Sequence, residues 1–219
     1  MAEMMKGNEA IAEAAIRAGA RFYAGYPITP SSEIMEYLSW RMNEVGGAFV
    51  QAESELAGIN MVIGASSCGV RALTASSGPG ISLKQEGIST LCDEGLPAVV
   101  ITQVRYGNGL GTLFTSQCDY HRETRGGGQG DYRCIVLCPS SIQEFVDLML
   151  PAYELAEKYR IVTIMMGEGT LGQMMEPVEL PDFVEPKRTP WALNGHYTYK
   201  KIGIFERDSM AEAVELRAK

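Results

Sequence analysis

The sequence lacks the features that mark secreted and membrane-spanning chains. Its apolar runs, such as residues 161–166, are far too short to cross a bilayer. Charged residues at positions 3, 6, 9 and 13 interrupt the amino-terminal segment, so that segment has no apolar core of a signal peptide. We therefore expect a protein of the cytoplasm that makes no contact with a membrane.

Positive charge is also scarce. The 219 residues carry a net charge of −8, and the basic pairs at 187–188 and 200–201 are isolated. Because nucleic acids bind to basic surfaces, we expect no nucleic-acid partner. The hydrophobic fraction of 46% is ordinary for a globular protein and argues against disorder.

The spacing of the cysteines and the absence of phosphate-binding motifs exclude several kinds of site. The five cysteines do not have the spacing of metal ligands, so we expect neither a metal site nor an iron–sulfur cluster on this chain. Cys134 and Cys138 should face the same side of a strand as small buried residues. A P-loop is absent, and Gly107, Gly109 and Gly111 lack the position and spacing of a dinucleotide fingerprint.

The sequence does contain short apolar segments that alternate with longer segments of helical period. This alternation predicts strands that pair in parallel through right-handed helical crossovers. We predict a doubly wound, mostly parallel six-stranded α/β sheet with strands at residues 21–25, 48–51, 72–76, 98–104, 134–138 and 162–166. A helix over residues 141–160 should be kinked or restarted by Pro151.

Two segments break the alternation. Residues 105–131 contain seven glycines and no clear periodicity, which indicates a long functional or partner-bound loop. From residue 177 onward, closely spaced prolines precede an aromatic and polar stretch. We predict one domain over residues 1–176 and an extended arm over residues 177–219 that contacts partner subunits, with a short helix near 209–217.

Four segments should meet at one edge of the sheet, because ligands bind beyond the carboxyl ends of parallel strands. They are residues 26–32, 51–55, 76–80 and 105–111. Taken singly, they have plain structural explanations: a capped helix start, acids that complement a helix dipole, and a tight turn.

Two of these segments carry residues suited to an anion. Thr29 suits a helix N-cap with Pro30 in the first turn, and such a helix start can bind an anion. Arg105 follows an apolar strand directly, where its guanidinium can bind a carboxylate through two hydrogen bonds.

Together and in this order, the segments resemble one enzyme family. The α subunits of 2-oxoacid:ferredoxin oxidoreductases have motifs similar to YPITPSSE at 26–33, QAESE at 51–55, SGPG at 77–80, SSIQE at 140–144 and AEKYR at 156–160. The similarity covers residues 6–176. The branched-chain (2-oxoisovalerate) type has segments similar to LKQEGIS at 83–89, GGGQGDY at 126–132 and LGQMMEP at 171–177.

The resemblance implies the pyrimidine-binding module of a thiamine-diphosphate enzyme. Glu55, rather than Glu53, would be the carboxylate that hydrogen-bonds ring N1′ of the aminopyrimidine and assists proton removal at thiazolium C2. Thr29 would donate to the substrate, and Arg105 would bind the substrate carboxylate. The further cofactor contacts that it implies are Tyr26, Pro27, Ile28, Ser77 and Gly78.

The resemblance also implies an incomplete active site. The diphosphate and its Mg²⁺ need a Gly-Asp-Gly module, whereas Gly130-Asp131 is followed here by Tyr132. We therefore expect a thiamine-diphosphate-binding β subunit, a γ subunit and a ferredoxin-like iron–sulfur subunit, in a dimer of hetero-oligomers that uses coenzyme A as co-substrate. Many α subunits of the family continue into a further domain, which we expect to be either a separate chain or missing through truncation.

Other hypotheses remain open at this point. A pyruvate or 2-oxoglutarate enzyme of the same family would share most of these motifs. A scaffold subunit could keep the fold without catalysis, although the joint presence of Thr29, Glu55 and Arg105 argues against it. An independent phosphate- or nucleotide-binding protein is disfavoured by the missing motifs.

Overall fold

The computed structural model describes residues 2–185, 189 and 191–193. The strands are β1 (Glu3–Lys6), β2 (Phe22–Gly25), β3 (Ala48–Gln51), β4 (Ala72–Ser76), β5 (Ala98–Val104), β6 (Ile135–Leu137), β7 (Val162–Glu168) and β8 (Met175–Val178). The helices are α1 (Gly7–Arg17), α2 (Ser32–Glu44), α3 (Glu55–Ser67), α4 (Gly78–Asp93), α5 (Tyr120–Arg125), α6 (Ile142–Tyr159) and α7 (Gly169–Gln173). None of the described helices is long and apolar enough to cross a membrane.

Six strands form one sheet in the order β3-β2-β4-β5-β7-β6, and every neighbouring pair is parallel. Helices α1, α2 and α6 cover one face, where Ile11, Leu38 and Phe145 are buried in one core. Helices α3 and α4 cover the other face, where Ile59 and Ile88 belong to a second core. The prediction of a doubly wound six-stranded α/β sheet is therefore confirmed.

Strand β5 shows why the apolar runs form central strands. All of its residues are buried, and successive side chains point to opposite faces. Val99 and Ile101 enter the core beneath α1 and α6, whereas Ala98 and Val100 enter the core beneath α3 and α4. A strand covered by helices on both faces needs an unbroken apolar run.

The pairing of β1 with β8 was not predicted from the sequence. These four-residue strands are antiparallel, with Met4 opposite Pro177, and they form a sheet separate from the six-stranded one. Each is short and partly exposed, so neither has a strong apolar pattern. The predicted boundary between residues 176 and 177 falls inside β8.

The described part of the predicted arm lies against the chain's own domain. The Val184 amide donates to the Arg17 carbonyl at 2.7 Å. The Arg17 guanidinium lies 4.7 Å from the centre of the Phe183 ring. Contact between the arm and partner subunits stays a prediction, and the helix predicted near 209–217 lies outside the described residues.

Three local predictions differ from the structure. Helix α6 continues through Pro151 as one helix, so the predicted restart is wrong, whereas the predicted kink stays a prediction. The long glycine-rich segment contains the short helix α5. Cys138 is exposed and Cys134 is only half-buried, because β6 is an edge strand of the sheet.

Helices α3 and α4 pack closely at Gly87, and this contact is testable. A Cβ atom at Gly87 would lie 2.5 Å from two carbon atoms of Ile59, whereas a Cβ at the exposed Gly64 of α3 would meet nothing within 4 Å. Gly87→Ala should destabilise the chain by about 1–3 kcal/mol through overpacking. Gly64→Ala should stabilise it by about 0.5–1 kcal/mol, because alanine favours helix. Urea denaturation of both variants checks this, and equal effects would contradict the close contact.

Candidate active site

The carboxyl ends of β2, β3, β4 and β5 bring the four predicted segments to one edge of the sheet. Glu55 is the first residue of α3, and the side chain of Ser54 caps this helix by accepting a hydrogen bond from the Ala57 amide at 3.2 Å. Glu55 is only 7% exposed, whereas Glu53 is exposed. The structure therefore distinguishes the two acids: Glu53 faces solvent, and Glu55 points into the edge of the sheet.

The Glu55 carboxylate rests on the first turn of α4. A Cβ atom at Gly80 would lie 2.8 Å from Glu55 Oε1 and would also collide with the Ser76 hydroxyl. Only glycine leaves room at this position for the carboxylate. The Gly-Pro-Gly turn at residues 78–80 therefore does more than turn the chain, because its last glycine leaves space for the Glu55 carboxylate.

Arg105 ties together three of the four segments. Its guanidinium donates to the Thr29 carbonyl at 2.8 Å and to the Leu110 carbonyl at 2.5 Å. It lies over Gly78, where the positive φ of 45° favours glycine and a Cβ atom would approach Arg105 Nε to 2.9 Å. Arg105 is only 7% exposed, and its buried Nε has no partner among the described residues.

The interpretation of Thr29 as a helix N-cap is wrong. Helix α2 begins at Ser32 with Ser31 in the cap position, and Thr29 precedes this helix across a cis bond to Pro30. The Ser31 amide and hydroxyl both donate to the Ile28 carbonyl, so the segment closes as a turn before the helix begins. The Thr29 side chain is exposed and open to a ligand.

A buried amide network anchors this turn, and the sequence reasoning missed it. Asn8 donates to the Pro30 carbonyl at 2.7 Å and to Glu33 at 2.8 Å, and it accepts from Gln103 at 3.0 Å. Burial opposes ionisation of Glu33, but its bonds from Lys6, Gln173 and Asn8 outweigh burial and hold the pKa of Glu33 below its usual range. No periodic pattern marks Asn8 or Gln103, because both act through tertiary contacts.

The sequence reasoning also missed a second buried polar group, Lys84. It occupies the apolar stripe of α4 together with Ile81, Ile88 and Leu91, and it is fully buried. Its ammonium donates to the main-chain carbonyl of Glu55 at 3.3 Å. A lysine within an apolar helical stripe is the sequence signal that could have revealed it.

Several buried donor groups at this edge have no hydrogen-bond partner among the described residues: Ser76 Oγ, Ser77 Oγ, Gln85 Nε2 and Arg105 Nε. Burial raises the pKa of Glu123 above its usual range, although neighbouring Arg122 opposes the shift. Buried donor groups normally have hydrogen-bond partners, so the unpartnered donors at this edge are available to a ligand. Polar donors of this kind fit a cofactor with a nitrogen-rich ring. Among the described residues, no three His, Cys, Asp or Glu side chains are grouped to hold a metal ion.

Comparison with known proteins identifies the family. The sequence profile of pyruvate flavodoxin/ferredoxin oxidoreductases, thiamine diphosphate-binding, matches residues 13–208. The chain belongs to this family. The resemblance stated from the motifs is therefore confirmed.

Individual relatives agree with this assignment. A ketoisovalerate oxidoreductase subunit VorB of Methanothermobacter marburgensis is 51% identical over 88% of this chain and 55% of its own length. A 2-oxoglutarate synthase subunit KorA of Methanocaldococcus jannaschii is 46% identical over 84% of this chain and 50% of its own length. The chain thus spans about half the length of the curated relatives it matches.

A solved structure also supports the assignment of the fold. The 2-oxoglutarate:ferredoxin oxidoreductase from Magnetococcus marinus, with 2-oxoglutarate, coenzyme A and succinyl-CoA bound, superposes with a TM-score of 0.83 at 32% identity. The match covers 94% of this chain and 36% of that chain.

The hydrogen bonds from Arg105 to the Thr29 and Leu110 carbonyls should hold the glycine-rich loop against the turn after β2. Lys cannot bond both carbonyls in the same way, so Arg105→Lys should release the Leu110 carbonyl. Amide hydrogen exchange over residues 106–114 should become at least about tenfold faster, as expected for one lost charged hydrogen bond. Arg125→Lys, on the exposed end of α5, is the matched control and should change nothing. Equal exchange in both variants would contradict this anchoring role.

Proposed function

We propose that the chain is the pyrimidine-binding subunit of a thiamine-diphosphate-dependent 2-oxoacid:ferredoxin oxidoreductase. The enzyme would convert a 2-oxoacid and coenzyme A to an acyl-CoA and CO₂ and pass the electrons to ferredoxin. The observation that carries this proposal is the buried Glu55 carboxylate held at the carboxyl edge of the sheet, beside exposed Thr29 and buried Arg105.

Glu55 would act on the aminopyrimidine ring of the cofactor. Bound thiamine diphosphate supplies the carbanion chemistry that decarboxylates a 2-oxoacid. Glu55 would hold the hydrogen bond to ring N1′ and promote proton removal at thiazolium C2. Its burial against Gly80 restricts its position, and an acid–base group must be positioned against its partner. Tyr26, Pro27, Ile28, Ser77 and Gly78 would line the ring, as the motifs imply.

Arg105 would bind the carboxylate of the substrate, and Thr29 would donate a hydrogen bond to it. In this structure the guanidinium is held by two main-chain carbonyls. A carboxylate is a stronger acceptor than a neutral carbonyl. The substrate carboxylate would therefore compete with the Leu110 carbonyl for the hydrogen bond from Arg105 Nη2. The glycine-rich loop that carries Leu110 would therefore respond to substrate binding.

The proposal includes partner chains, because the described residues present only one half of a cofactor site. A β subunit would hold the diphosphate and Mg²⁺, and a ferredoxin-like subunit would carry the iron–sulfur clusters. A γ subunit would complete each assembly, and two assemblies would pair in the cytoplasm. Support comes from the names of the relatives, which describe each of them as a subunit.

For the substrate we propose 2-oxoisovalerate, because the relative at 51% identity is a ketoisovalerate oxidoreductase subunit. The second candidate is 2-oxoglutarate, which the KorA relative at 46% identity and the solved structure favour.

Exchange of Glu55 tests the catalytic proposal. Glu55→Gln keeps the size of the side chain but removes the negative charge, so dye reduction by the assembled complex should fall at least about 100-fold. Glu53→Gln is the matched control, since Glu53 is exposed two residues away, and it should keep full activity. Assembly is checked by co-purification of the partner subunits. An active, assembled Glu55→Gln complex would remove Glu55 from the mechanism.

A substrate panel tests the choice of 2-oxoacid. The assembled complex should reduce a viologen dye with a higher kcat/KM for 2-oxoisovalerate than for pyruvate, 2-oxoglutarate or aryl pyruvates. A preference for 2-oxoglutarate would replace the branched-chain assignment and leave the reaction type unchanged. An assembled complex inactive with every 2-oxoacid would identify a scaffold subunit.

A further inference from the structure

A buried lysine lies behind the proposed catalytic acid. Lys84 is fully buried on α4, and its ammonium donates to the Glu55 carbonyl at 3.3 Å. Burying an ammonium costs far more than burying an apolar side chain of the same length. Methionine would fill the same position in the apolar stripe of α4 at lower cost, so the cation needs an explanation.

Helix α4 holds both ends of Glu55. The Glu55 carboxylate rests on Gly80, and the Glu55 carbonyl accepts the hydrogen bond of Lys84. Residues four apart in a helix lie on the same face, one turn from each other. A single face of α4 therefore contacts the carboxylate and the main chain of the same residue.

The surrounding backbone makes room for this cation. A Cβ atom at Gly58 would lie 3.3 Å from Lys84 Nζ and 3.3 Å from the Cα atom of Gly25. The ammonium is thus enclosed between the first turns of α3 and the end of β2. Burial lowers the pKa of Lys84 to about 8, and the negative charge of Glu55 opposes that shift.

We propose that Lys84 is a positioning residue for Glu55, which fixes the first turn of α3 and holds the carboxylate in register with the cofactor ring. This inference rests on the proposed function of Glu55. Lys84 is fully buried and would act through Glu55. Its hydrogen bond to the Glu55 carbonyl fixes the main chain of Glu55.

The test uses Lys84→Met in the complex assembled with its partner subunits. Methionine matches lysine in length and removes the charge and the donor. The matched control is Lys158→Met, which makes the same change at an exposed position of α6. Three quantities are measured: amide hydrogen exchange of the first turn of α3 without cofactor, thiamine diphosphate affinity, and the exchange rate of the C2 proton of the bound cofactor in D₂O.

In Lys84→Met, we expect faster amide exchange confined to the first turn of α3 and C2-proton exchange slower by about tenfold to 100-fold, since displacements near 1 Å have effects of this size. Cofactor affinity should change less than about threefold, because Lys84 would orient the acid, whereas the proposal assigns the diphosphate contacts to the partner subunit. Lys158→Met should match the wild type in all three measurements.

Unchanged C2-proton exchange in an assembled Lys84→Met complex would overturn the proposal. Faster amide exchange throughout α3 and α4 with normal C2-proton exchange would also overturn it, because that result describes a purely structural lysine. If Lys84→Met does not assemble, Lys84→Leu, which also removes the charge and the donor, takes its place with the same expectations. If the wild-type complex shows no C2-proton exchange, the proposed function fails, and the amide exchange still decides whether Lys84 holds Glu55.

Discussion

The close approach of α3 to α4 is the constraint on which the site depends. Three glycines make it possible: Gly87 accepts Ile59, Gly58 leaves space for the Lys84 ammonium, and Gly80 leaves space for the Glu55 carboxylate. A Cβ atom at any of them would press on the opposing helix or on the groups between the helices. The packing that builds the second core therefore also sets the orientation of the buried acid.

Arg105 provides the corresponding link on the other side of the edge. It joins the turn after β2 to the loop after β5 and lies over the glycine that begins α4. Its two hydrogen bonds go to main-chain carbonyls, so its position depends little on the side chains of the loop. Glu55 thus begins helix α3 and Arg105 directly follows β5, while Thr29 is exposed in the turn after β2.

Local sequence patterns predicted the central sheet well and the peripheral pairing poorly. Strands β4 and β5 are unbroken buried runs, so their bounds agreed with the prediction to the residue. The pairing of β1 with β8 was not predicted, because its hydrogen bonds join segments about 170 residues apart. Local chemistry predicts Thr29 as a helix cap. In the structure, the hydrogen bonds from Ser31 to the Ile28 carbonyl close a turn before α2 begins at Ser32.

By itself, the sequence determined the α/β class, the family and the edge of the sheet where the candidate site residues meet, because apolar periodicity and short motifs are local properties. Through the resemblance to the family, the sequence also indicated Glu55 rather than Glu53 as the candidate cofactor-binding acid. Only the tertiary structure decided what surrounds that acid. The contacts of Gly80 and Lys84 with Glu55, and of Arg105 with Thr29 and Leu110, form only when α4 and the glycine-rich loop reach the same edge of the sheet. Such contacts depend on shape in three dimensions, and a linear pattern does not record them.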